Sequence, residues 1–444
     1  MSDQTIYALA SGAGRCGVAV VRLSGPHAHD VLCKLSNKTS FKPRYAHRVN
    51  LVDPTTSDPI DDGLALYFPG PNSFTGEDVV EFQIHGGRAV VQTLLDVLGE
   101  CDGLRMAEPG EFTRRAFENE KMDLTAAEGL ADLIHAETRA QAKQALRQME
   151  GALGSLYNDW ADRILRVLAH FEAVIDFPDE DLPEEVELEV RSKVSTLKGE
   201  IEEHLADGHR GERLRDGVRL AIVGPPNAGK SSLLNHLAKR EVAIVSDIAG
   251  TTRDVIESHL DIGGYPVVVS DTAGIRHSDD VIEIEGIRRA QDRAKQSDLK
   301  VVLFDSGDWP NLDEKTLDLI DEDSLVVFNK IDKADKPDVN EIKGHTPIYM
   351  SAKSKEGLSD FFKQLEIEVA DRCMMTGAPA LTRARHREAL EECVESLNRF
   401  AMIDLPELAA EDLRMATRSI GRITGRIDVE DVLDVVFSDF CIGK

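Results

Sequence analysis

A glycine-rich loop near the middle of the chain has the residue types and spacing that phosphate binding requires. An apolar run at 220–223 leads into Gly224-x-x-x-x-Gly229-Lys230-Ser231, and a helical pattern follows. The glycines let backbone N–H groups surround an anion, and the helix N-terminus adds positive potential. The lysine can reach the outer phosphates, and the serine hydroxyl can hold Mg²⁺. This order of strand, loop and helix predicts a nucleotide-binding P-loop; the alternative is a structural glycine turn.

Four further segments follow the P-loop in the order expected of a GTPase. A threonine hydroxyl in 250–254 can complete the shell of a Mg²⁺ ion, and Asp271, which ends a buried strand, can reach the metal through water. The Gly274 N–H is placed for the γ-phosphate. The carboxylate of Asp332 can accept both N–H donors of guanine, a pair that adenine lacks, and residues 351–353 would cover the edge of the base.

Each of these segments follows a strand, and together they predict a GTP-binding α/β domain. The predicted GTP contacts are Asn227, Ala228, Gly229, Lys230, Ser231, Ser232, Ser246, Asp247, Ile248, Ala249, Gly250, Thr251, Thr252, Asp271, Thr272, Ala273, Gly274, Asn329, Lys330, Asp332, Ser351, Ala352 and Lys353.

The residue after Gly274 indicates an unusual route to hydrolysis. Ras-like switches carry a glutamine there that orients the attacking water, whereas this chain has Ile275. A carboxylate in the acidic stretch 277–285 can orient the water as a general base, although such residues also cap helices. No arginine finger can be singled out. The side-chain oxygen of Asn227 can instead ligate a monovalent cation, whose charge would replace that of an arginine.

The first 118 residues predict a small α+β domain. Short β-type runs at 17–23, 64–68 and 79–84 are separated by turn clusters, and a helical stretch follows at 88–98. Arg22 and Glu81 interrupt two of the apolar strands. A charge in that position indicates a sheet edge, a salt bridge or a ligand contact.

Helical spacing of apolar residues dominates the rest of the chain outside the GTPase motifs. It extends over 126–175 and 184–205 and returns at 385–402, 407–420 and 429–437. The pattern predicts a GTPase domain at 213–376 that is inserted into a helical domain formed by 119–212 and 377–444. The fold class is therefore multidomain, α+β and α/β.

Composition limits the cellular setting and the partners. The formal net charge of −28 argues against a general nucleic-acid binder, because phosphate contacts need clustered lysine and arginine. The six cysteines form no C-x-x-C pair, which indicates a reducing compartment. Without a basic n-region followed by an apolar core, or a run long enough to span a membrane, we expect a cytoplasmic protein with no membrane partner.

The P-loop, its flanking helical regions and the tail closely resemble the MnmE (TrmE) family of tRNA-modification GTPases over essentially the whole chain. The resemblance is carried by the P-loop at 224–231, by Asp-Ile-Ala-Gly-Thr-Thr-Arg-Asp at 247–254, by Pro-Gly-Glu-Phe-Thr-x-Arg-Ala-Phe at 109–117, and by Phe-Cys-Ile-Gly-Lys at 440–444. It implies an N-terminal α+β folate-binding-like domain, a discontinuous helical domain and an inserted Ras-like P-loop GTPase domain.

The resemblance also implies an activity. Family members are homodimers joined through the N-terminal domain, which binds 5-formyl- or 5,10-methylene-tetrahydrofolate. Their GTPase domains associate in the presence of K⁺, and this activates hydrolysis. With the FAD-dependent subunit MnmG (GidA), in a heterotetramer, they add an aminomethyl or carboxymethylaminomethyl group to C5 of the wobble uridine of certain tRNAs.

Carried over by position, the resemblance implies a role for particular residues. The K⁺ ligands would be Asn227, Ser246, Ile248 and Thr251, and the Mg²⁺ ligands Ser231 and Thr252. Glu283 would position the water, with Glu285 as the alternative. Folate would contact Arg22, Glu81, Lys121 and Lys444. Cys441 is a candidate for chemistry, and a packed structural thiol is the alternative reading.

Two other classes of function share the nucleotide motifs. A ribosome-assembly or signalling GTPase would act as a switch by binding alone, and it would need neither a folate site nor the C-terminal motif. In a structural dimer the nucleotide would merely stabilise the fold.

Overall fold

The architecture was taken from a computed structural model. The structure describes residues 4–12, 14–176, 184–207, 209–240, 257–270, 295–374, 379–403 and 405–427, and four short pieces near the C-terminus at 433, 436–437, 440 and 443. The chain divides into two compact units. Unit 1 contains residues 1–131, 148–168 and 414–444, and unit 2 contains residues 132–147 and 169–413.

Unit 1 is built on a six-stranded sheet with strand order β3-β4-β5-β2-β1-β6. Only β1 and β6 pair in parallel; the other neighbours are antiparallel. Buried residues alternate with partly exposed ones along the end of β2, so that one face packs on helices. The strands are β1 Thr5–Leu9, β2 Cys16–Ser24, β3 His47–Val52, β4 Pro59–Phe68, β5 Val79–Gly86 and β6 Leu104–Met106.

Apolar side chains of two helices and the sheet form the core of this unit. Leu32 of helix α1, Leu94 of α2 and Phe82 of β5 are all fully buried in one cluster. The tail returns to the same unit, since Phe437 and Phe440 pack with Leu124 at the start of α4. These helices are α1 Ala28–Ser36, α2 Arg88–Gly99, α3 Glu111–Glu118 and α4 Leu124–His135.

Unit 2 contains a second six-stranded sheet, of order β12-β11-β10-β7-β9-β8, in which only β8 is antiparallel. Successive residues of β10 enter two different cores: Val301 and Leu303 pack on one face, and Val302 and Phe304 on the other. A strand buried on both faces is continuously apolar, as parallel sheets require. The strands are β7 Val218–Val223, β8 Glu257–Ile262, β9 Tyr265–Ser270, β10 Leu299–Asp305, β11 Ser324–Asn329 and β12 Ile348–Tyr349.

The helical pattern at 126–175 corresponds to three helices rather than one. The helical conformation is interrupted at Thr138, whose hydroxyl accepts the Gln141 N–H, and at Gly151, which has a φ of +87°. The pattern at 429–437 lies largely outside the described residues. The remaining helices are α5 Arg139–Met149, α6 Ala152–Asp176, α7 Glu184–Leu205, α8 Arg210–Asp216, α9 Lys230–Arg240, α10 Glu314–Leu317, α11 Leu358–Cys373, α12 Ala384–Met402 and α13 Pro406–Thr424.

Among the helices of the described ranges, none combines the length and the apolar character needed to cross a membrane.

Candidate functional site

The P-loop connects β7 to α9 and is fixed by close backbone packing. A Cβ atom at Gly224 would lie 2.3 Å from the carbonyl oxygen of Leu303 in the neighbouring strand β10, so only glycine fits. Asn227 has a φ of +63° and an exposed side chain, and Ala228 is buried. The loop therefore has a backbone path that depends on glycine and asparagine, the residues that tolerate positive φ most readily.

Lys230 begins α9 and reaches back over the loop. Its Nζ donates to the carbonyl oxygens of Gly224, at 2.8 Å, and Pro225, at 2.9 Å. Burial lowers the pKa of this lysine. Ser231 and Ser232 follow in the first turn with exposed side chains. A half-buried ammonium group at a helix N-terminus, bonded to neutral carbonyls, is suited to receive a polyphosphate.

Asn329, at the end of β11, joins two of the predicted nucleotide segments. Its Nδ2 donates to the Ala228 carbonyl oxygen in the P-loop at 2.7 Å, and its Oδ1 accepts the Ala352 N–H at 3.0 Å. The side chain is 2% exposed. A Cβ atom at Gly229 would lie 2.2 Å from Asn329 Nδ2, so this glycine is required for the contact. Asn329 therefore holds the P-loop and the 351–353 segment in one arrangement.

The predicted guanine-binding group is oriented by a neighbouring hydroxyl. Ser351 is fully buried, and its Oγ donates to Asp332 Oδ1 at 2.6 Å. This hydrogen bond lowers the pKa of Asp332, whose carboxylate stays exposed. Lys330 has a φ of +66°, and its Nζ donates to Asp305 Oδ2 at 2.7 Å. Lys353 is exposed. The structure thus brings all five of the motif residues after β11 and β12 to the same edge of the sheet as the P-loop.

Arg22 and Glu81 form a cross-strand ion pair in unit 1. They are register partners on β2 and β5, and Arg22 Nη2 lies 2.8 Å from Glu81 Oε1. Both side chains keep about a fifth of their surface exposed, at 21% and 20%. The guanidinium group also lies over the rings of Phe74, at 5.6 Å, and Phe112, at 5.8 Å. The predicted salt bridge between these two charges is therefore confirmed, and it lies on a partly exposed face with aromatic neighbours.

A buried charge network lies beside this pair, and sequence reasoning did not assign it a role. Arg115, whose side chain is 4% exposed, contacts Glu77 at 3.0 Å and Glu111 at 3.0 Å. Ser24 donates to Glu77 at 2.7 Å. Burial alone would raise the pKa of Glu111, but hydrogen bonds from Arg105, from the Glu108 N–H and from Arg115 bring it below its usual value. The available signal was the motif at 109–117, which contains two of these residues.

Lys121 lies next to this network, beside the loop that precedes β5. A Cβ atom at Gly76, which has a φ of +81°, would lie 2.9 Å from Lys121 Cε. Asn119 Nδ2 donates to the Thr75 carbonyl oxygen at 2.7 Å and anchors the same loop. The C-terminal motif also reaches this unit, because a Cβ atom at Gly443 would lie 2.2 Å from the Leu9 carbonyl oxygen.

Family models match almost the whole chain. The model described as the MnmE helical domain matches residues 124–441, and that of the GTP-binding protein TrmE N-terminus matches residues 5–121. The chain belongs to the MnmE family of tRNA modification GTPases.

MnmE relatives share about half of their residues with this chain over their full length. The protein of Paramagnetospirillum magneticum is 55% identical over 442 residues, which cover 100% of each chain. That of Parvibaculum lavamentivorans is 54% identical over 447 residues, 99% of this chain and 100% of the relative. That of Rhodospirillum rubrum is 51% identical over 456 residues, 100% of each. Each of the three is named tRNA modification GTPase MnmE.

Solved structures with local similarity include GTP-binding domains of other proteins. The G domain of the T. maritima FeoB iron transporter is 26% identical, covers 34% of this chain and 98% of that chain, and has a TM-score of 0.25. A GTP-binding protein from Sulfolobus solfataricus in complex with GDP is 16% identical, covers 63% of this chain and 85% of that chain, and has a TM-score of 0.27.

Several predicted MnmE site residues lie outside the described residues, and their positions are therefore not compared with the sites above. They are Ser246, Asp247, Ile248, Ala249, Gly250, Thr251, Thr252, Asp271, Thr272, Ala273, Gly274, Glu283, its alternative Glu285, Cys441 and Lys444.

Proposed function

We propose that this chain is a K⁺-dependent GTP hydrolase that works with the FAD-dependent MnmG subunit. Together they would add an aminomethyl or carboxymethylaminomethyl group to C5 of the wobble uridine of certain tRNAs. The observation that supports GTP as the nucleotide is the bridge from the P-loop through Asn329 to Ser351 and Asp332. It puts a carboxylate with a lowered pKa on the same sheet edge as Lys230.

The phosphate end of the proposed site fits a Mg²⁺–nucleotide complex. Lys230 would contact the outer phosphates, and the exposed hydroxyl of Ser231 would ligate Mg²⁺ together with Thr252. Bound there, Mg²⁺ would neutralise charge that develops on the phosphates. The remaining GTP contacts are proposed as the sequence predicts them, with Asp332 bonded to the guanine edge.

We assign the monovalent cation to the outer side of the P-loop. The exposed amide of Asn227, held at positive φ, is compatible with a K⁺ ligand, and Ser246, Ile248 and Thr251 would supply the other oxygens. The cation would supply the positive charge that an arginine finger provides in other GTPases. Glu283 would orient the water in place of the glutamine that Ile275 replaces, and Glu285 is the alternative.

A GTPase assay in K⁺ and in Na⁺ tests the cation assignment. We expect wild-type turnover to be at least about tenfold faster in K⁺, since a charge at the transition state contributes several kcal/mol. Asn227→Ala should lose this acceleration but still bind GTP. Equal rates in the two salts would refute the K⁺ dependence and leave the GTPase assignment standing.

A pair of variants tests the water-positioning residue. Glu283→Ala should bind GTP normally and hydrolyse it at least about a hundredfold more slowly, as expected for the loss of a general base. Glu285→Ala is the matched control, because it removes the same charge two residues away. Normal turnover of Glu283→Ala with a slow Glu285→Ala would move the role to Glu285.

The ion pair of unit 1 is proposed as part of a tetrahydrofolate site, with Lys121 and Lys444. Arg22 and Lys121 can meet carboxylates of the ligand, and Glu81 can accept its N–H donors. Phe74, exposed beside Arg22, offers an aromatic surface. The bound folate would supply the one-carbon unit. Calorimetric titration of 5-formyl-tetrahydrofolate into the full-length protein should show binding that Glu81→Gln weakens at least about tenfold.

The assembly is proposed from the family. We infer a cytoplasmic homodimer joined through residues 1–118, with a GTPase domain at 213–376 inserted between helical segments at 119–212 and 377–444. Cys441 is retained as a candidate for chemistry. Mass spectrometry of tRNA nucleosides from cells lacking this protein tests the pathway: wobble uridines that stay fully modified would refute it.

A further inference from the structure

One stretch of unit 1 is basic, although the chain as a whole has a formal net charge of −28. Residues 31–52 contain five lysine or arginine residues and no aspartate or glutamate. They are Lys34, Lys38, Lys42, Arg44 and Arg48, and all five are exposed. The stretch extends from α1 through β3, which lies at the edge of the sheet. It therefore forms a local positive surface on a protein whose net charge repels polyanions.

Contacts within the stretch gather its cations around one tyrosine. Lys38 Nζ donates to the Arg48 carbonyl oxygen at 2.6 Å. The Lys42 N–H donates to His47 Nε2 at 3.0 Å, and Lys42 Nζ lies 5.5 Å from the centre of the Tyr45 ring. The rings of Tyr45 and His47 are in edge contact, with their centroids 5.1 Å apart. We call Lys38, Lys42, Tyr45 and Arg48 the basic patch.

Arg44 attaches the basic patch to the loop that carries Phe74. Its N–H donates to the Tyr67 carbonyl oxygen at 2.8 Å, at a φ of +59°. Its Nη2 donates to the carbonyl oxygen of Asn72, two residues before Phe74. Phe74 in turn lies beside Arg22 of the proposed folate site. The patch is therefore held by contacts to the backbone, and the same arginine connects it to the loop beside that site.

The side chains of the basic patch are available to an outside ligand. In the part of the chain that the structure describes, Lys38 and Lys42 form no ion pair. Arg48 Nε and Nη2 donate to the carboxylate of Asp62, at 3.0 and 2.5 Å, and both side chains are exposed. An exposed pair of this kind is weak and screened by salt, so a phosphate can compete for the arginine. Tyr45 is 56% exposed, which leaves much of its ring open to a further contact.

Two structural explanations cover only part of the basic stretch. Positive side chains protect an edge strand from pairing with another chain, which accounts for Arg48 in β3. A cation in the last turn of a helix stabilises that helix, which accounts for Lys34 in α1. Neither explanation applies to Lys38, Lys42 and Tyr45, which lie in the loop between the helix and the strand.

We propose that the basic patch binds tRNA, with Tyr45 stacked on an unpaired base and the cations on the adjacent phosphates. This inference rests on the proposed function, which gives the protein a tRNA substrate. Proteins bind unpaired RNA through aromatic rings that stack on the bases and through lysine and arginine that contact the phosphates. An acidic partner protein would need the cations but not the ring, so the exposed tyrosine favours RNA. The patch would hold tRNA on the unit that carries the proposed folate site.

Fluorescence anisotropy tests the role of the cations. The probe is an unmodified transcript of a tRNA anticodon stem–loop, which is titrated with the full-length protein over a range of salt concentrations. In K38Q/K42Q/R48Q, which loses three exposed charges, we expect roughly tenfold or greater weakening at moderate salt. The slope of log K against log salt should be smaller by about 2, because fewer counterions are released from the RNA. K38R/K42R/R48K should keep the wild-type slope, because it keeps the charges.

Tyr45 gives a second readout that is independent of charge. Y45L removes the ring but keeps an apolar side chain, and it should weaken binding of the stem–loop roughly tenfold without changing the salt slope. Y45F keeps the ring and should bind as the wild type does. An RNA duplex of the same length has no unpaired base, so Y45L should bind it normally. Wild-type binding of the stem–loop by Y45L would show that no base stacks on Tyr45 and would overturn the proposal.

The chain offers a matched control in α5. Arg139, Lys143 and Arg147 are exposed and belong to unit 2, so R139Q/K143Q/R147Q removes the same charge elsewhere. A wild-type slope and affinity for this control would support a local site at the basic patch. Equal weakening by both triple variants would overturn it in favour of diffuse electrostatic attraction.

Further readouts separate this proposal from the proposed function. Urea unfolding followed by circular dichroism should match the wild type in K38Q/K42Q/R48Q and Y45L, which would show that both variants are folded. GTP hydrolysis in K⁺ should be unchanged in both. If the wild type modifies wobble uridine in cells and both variants bind and modify tRNA equally well, the basic patch does not bind tRNA. If the wild type modifies no tRNA but both variants lose affinity for the stem–loop, the proposed function fails and the RNA site stands.

Discussion

The two six-stranded sheets position polar groups in different ways. In unit 2 the central strands are parallel and buried on both faces, so polar side chains appear where the strands end, in the P-loop after β7 and at Asn329, the last residue of β11. In unit 1 the sheet is largely antiparallel, and Arg22 and Glu81 lie within β2 and β5 on a partly exposed face.

This difference determines which kind of change each candidate site should tolerate. A site at strand ends depends on backbone conformation, because loops must turn tightly and amide groups must approach each other closely. A site on a sheet face depends on its side chains, because the ladder already fixes the backbone. Glycine substitutions should therefore be most damaging to the candidate site of unit 2, and charge substitutions to that of unit 1.

The largest expected effect is that of Gly229→Ala. The methyl group would lie 2.2 Å from Asn329 Nδ2, at a φ of +105°. We expect at least about 100-fold weaker GTP binding, equivalent to roughly 3 kcal/mol, in a titration with a fluorescent GTP analogue. Gly76→Ala in unit 1 meets the flexible end of Lys121 and should leave GTP binding unchanged. Gly151→Ala is the control for strain alone, because it has a positive φ and nothing within 4 Å. Comparable GTP affinity in all three variants would contradict the view that the site of unit 2 depends on close backbone packing at glycine.

Asn329→Asp should have the next largest effect. The change keeps the volume and the acceptor for the Ala352 N–H, but it places an oxygen opposite the Ala228 carbonyl oxygen in a buried position. The variant loses this hydrogen bond and gains a charge that is shielded from water. Together these two changes should cost about 2 kcal/mol of binding free energy and weaken GTP binding roughly 10- to 100-fold. Asn119→Asp alters a corresponding bond, to Thr75 in unit 1, and serves as the control. GTP binding that survives in Asn329→Asp would show that the two nucleotide segments need no bridge.

The sequence predicts the strand-end site better than the sheet-face site for a physical reason. Glycine, lysine and asparagine in the GTPase motifs have fixed spacing because the backbone itself forms the site, and the structure brings the described members together. The bridging role of Asn329 was not predicted, since a side chain that can bind guanine can equally bond to the protein. Strands β2, β4 and β5 and helix α2 were predicted.

Short elements without a strong periodicity were missed. Strands β1, β3 and β6 and helices α1 and α3 are short or carry polar residues, and tertiary packing decides them. In the network of Arg115, Glu111 and Glu77, the first two residues belong to the motif at 109–117, but Glu77 lies far from them in the chain, so no local pattern connects it to them. The three-helix division of 126–175 depends on Gly151 and on a cap at Thr138, which the apolar spacing does not reveal.

Removing one charge from the Arg22–Glu81 pair should reduce folate affinity more than it reduces the stability of the fold. Because both side chains are about a fifth exposed, Arg22→Gln should lower the free energy of unfolding by only about 1 kcal/mol, yet weaken folate binding roughly tenfold. In R22Q/E81Q the stability losses should be less than additive, since each single variant leaves a charge without its partner. Calorimetry for folate and urea unfolding for stability measure the two effects. A stability loss above about 3 kcal/mol with unchanged folate binding would make the pair purely structural.

The smallest expected effect separates the two units by their response to acid. Burial, with a smaller contribution from the neighbours Arg387 and His386, lowers the pKa of His204 in unit 2 to about 4, although Asp207 opposes this. The unfolded chain then binds more protons than the folded one as pH falls below about 6.5, so unit 2 should lose about 1 kcal/mol between pH 7 and 5.5. The lowered pKa of Glu111 makes unit 1 lose stability only as pH falls below the ordinary glutamate pKa of about 4.3.

The two tryptophans allow this difference to be measured, because Trp160 lies in unit 1 and Trp309 in unit 2. In a Trp160→Phe background, denaturation followed by Trp309 fluorescence should shift to lower urea at pH 5.5, and His204→Gln should abolish most of that shift. In a Trp309→Phe background, Trp160 should report almost no change over the same pH range. Equal shifts at both reporters would mean that the units unfold together, and a shift that persists in His204→Gln would assign the acid sensitivity to another group.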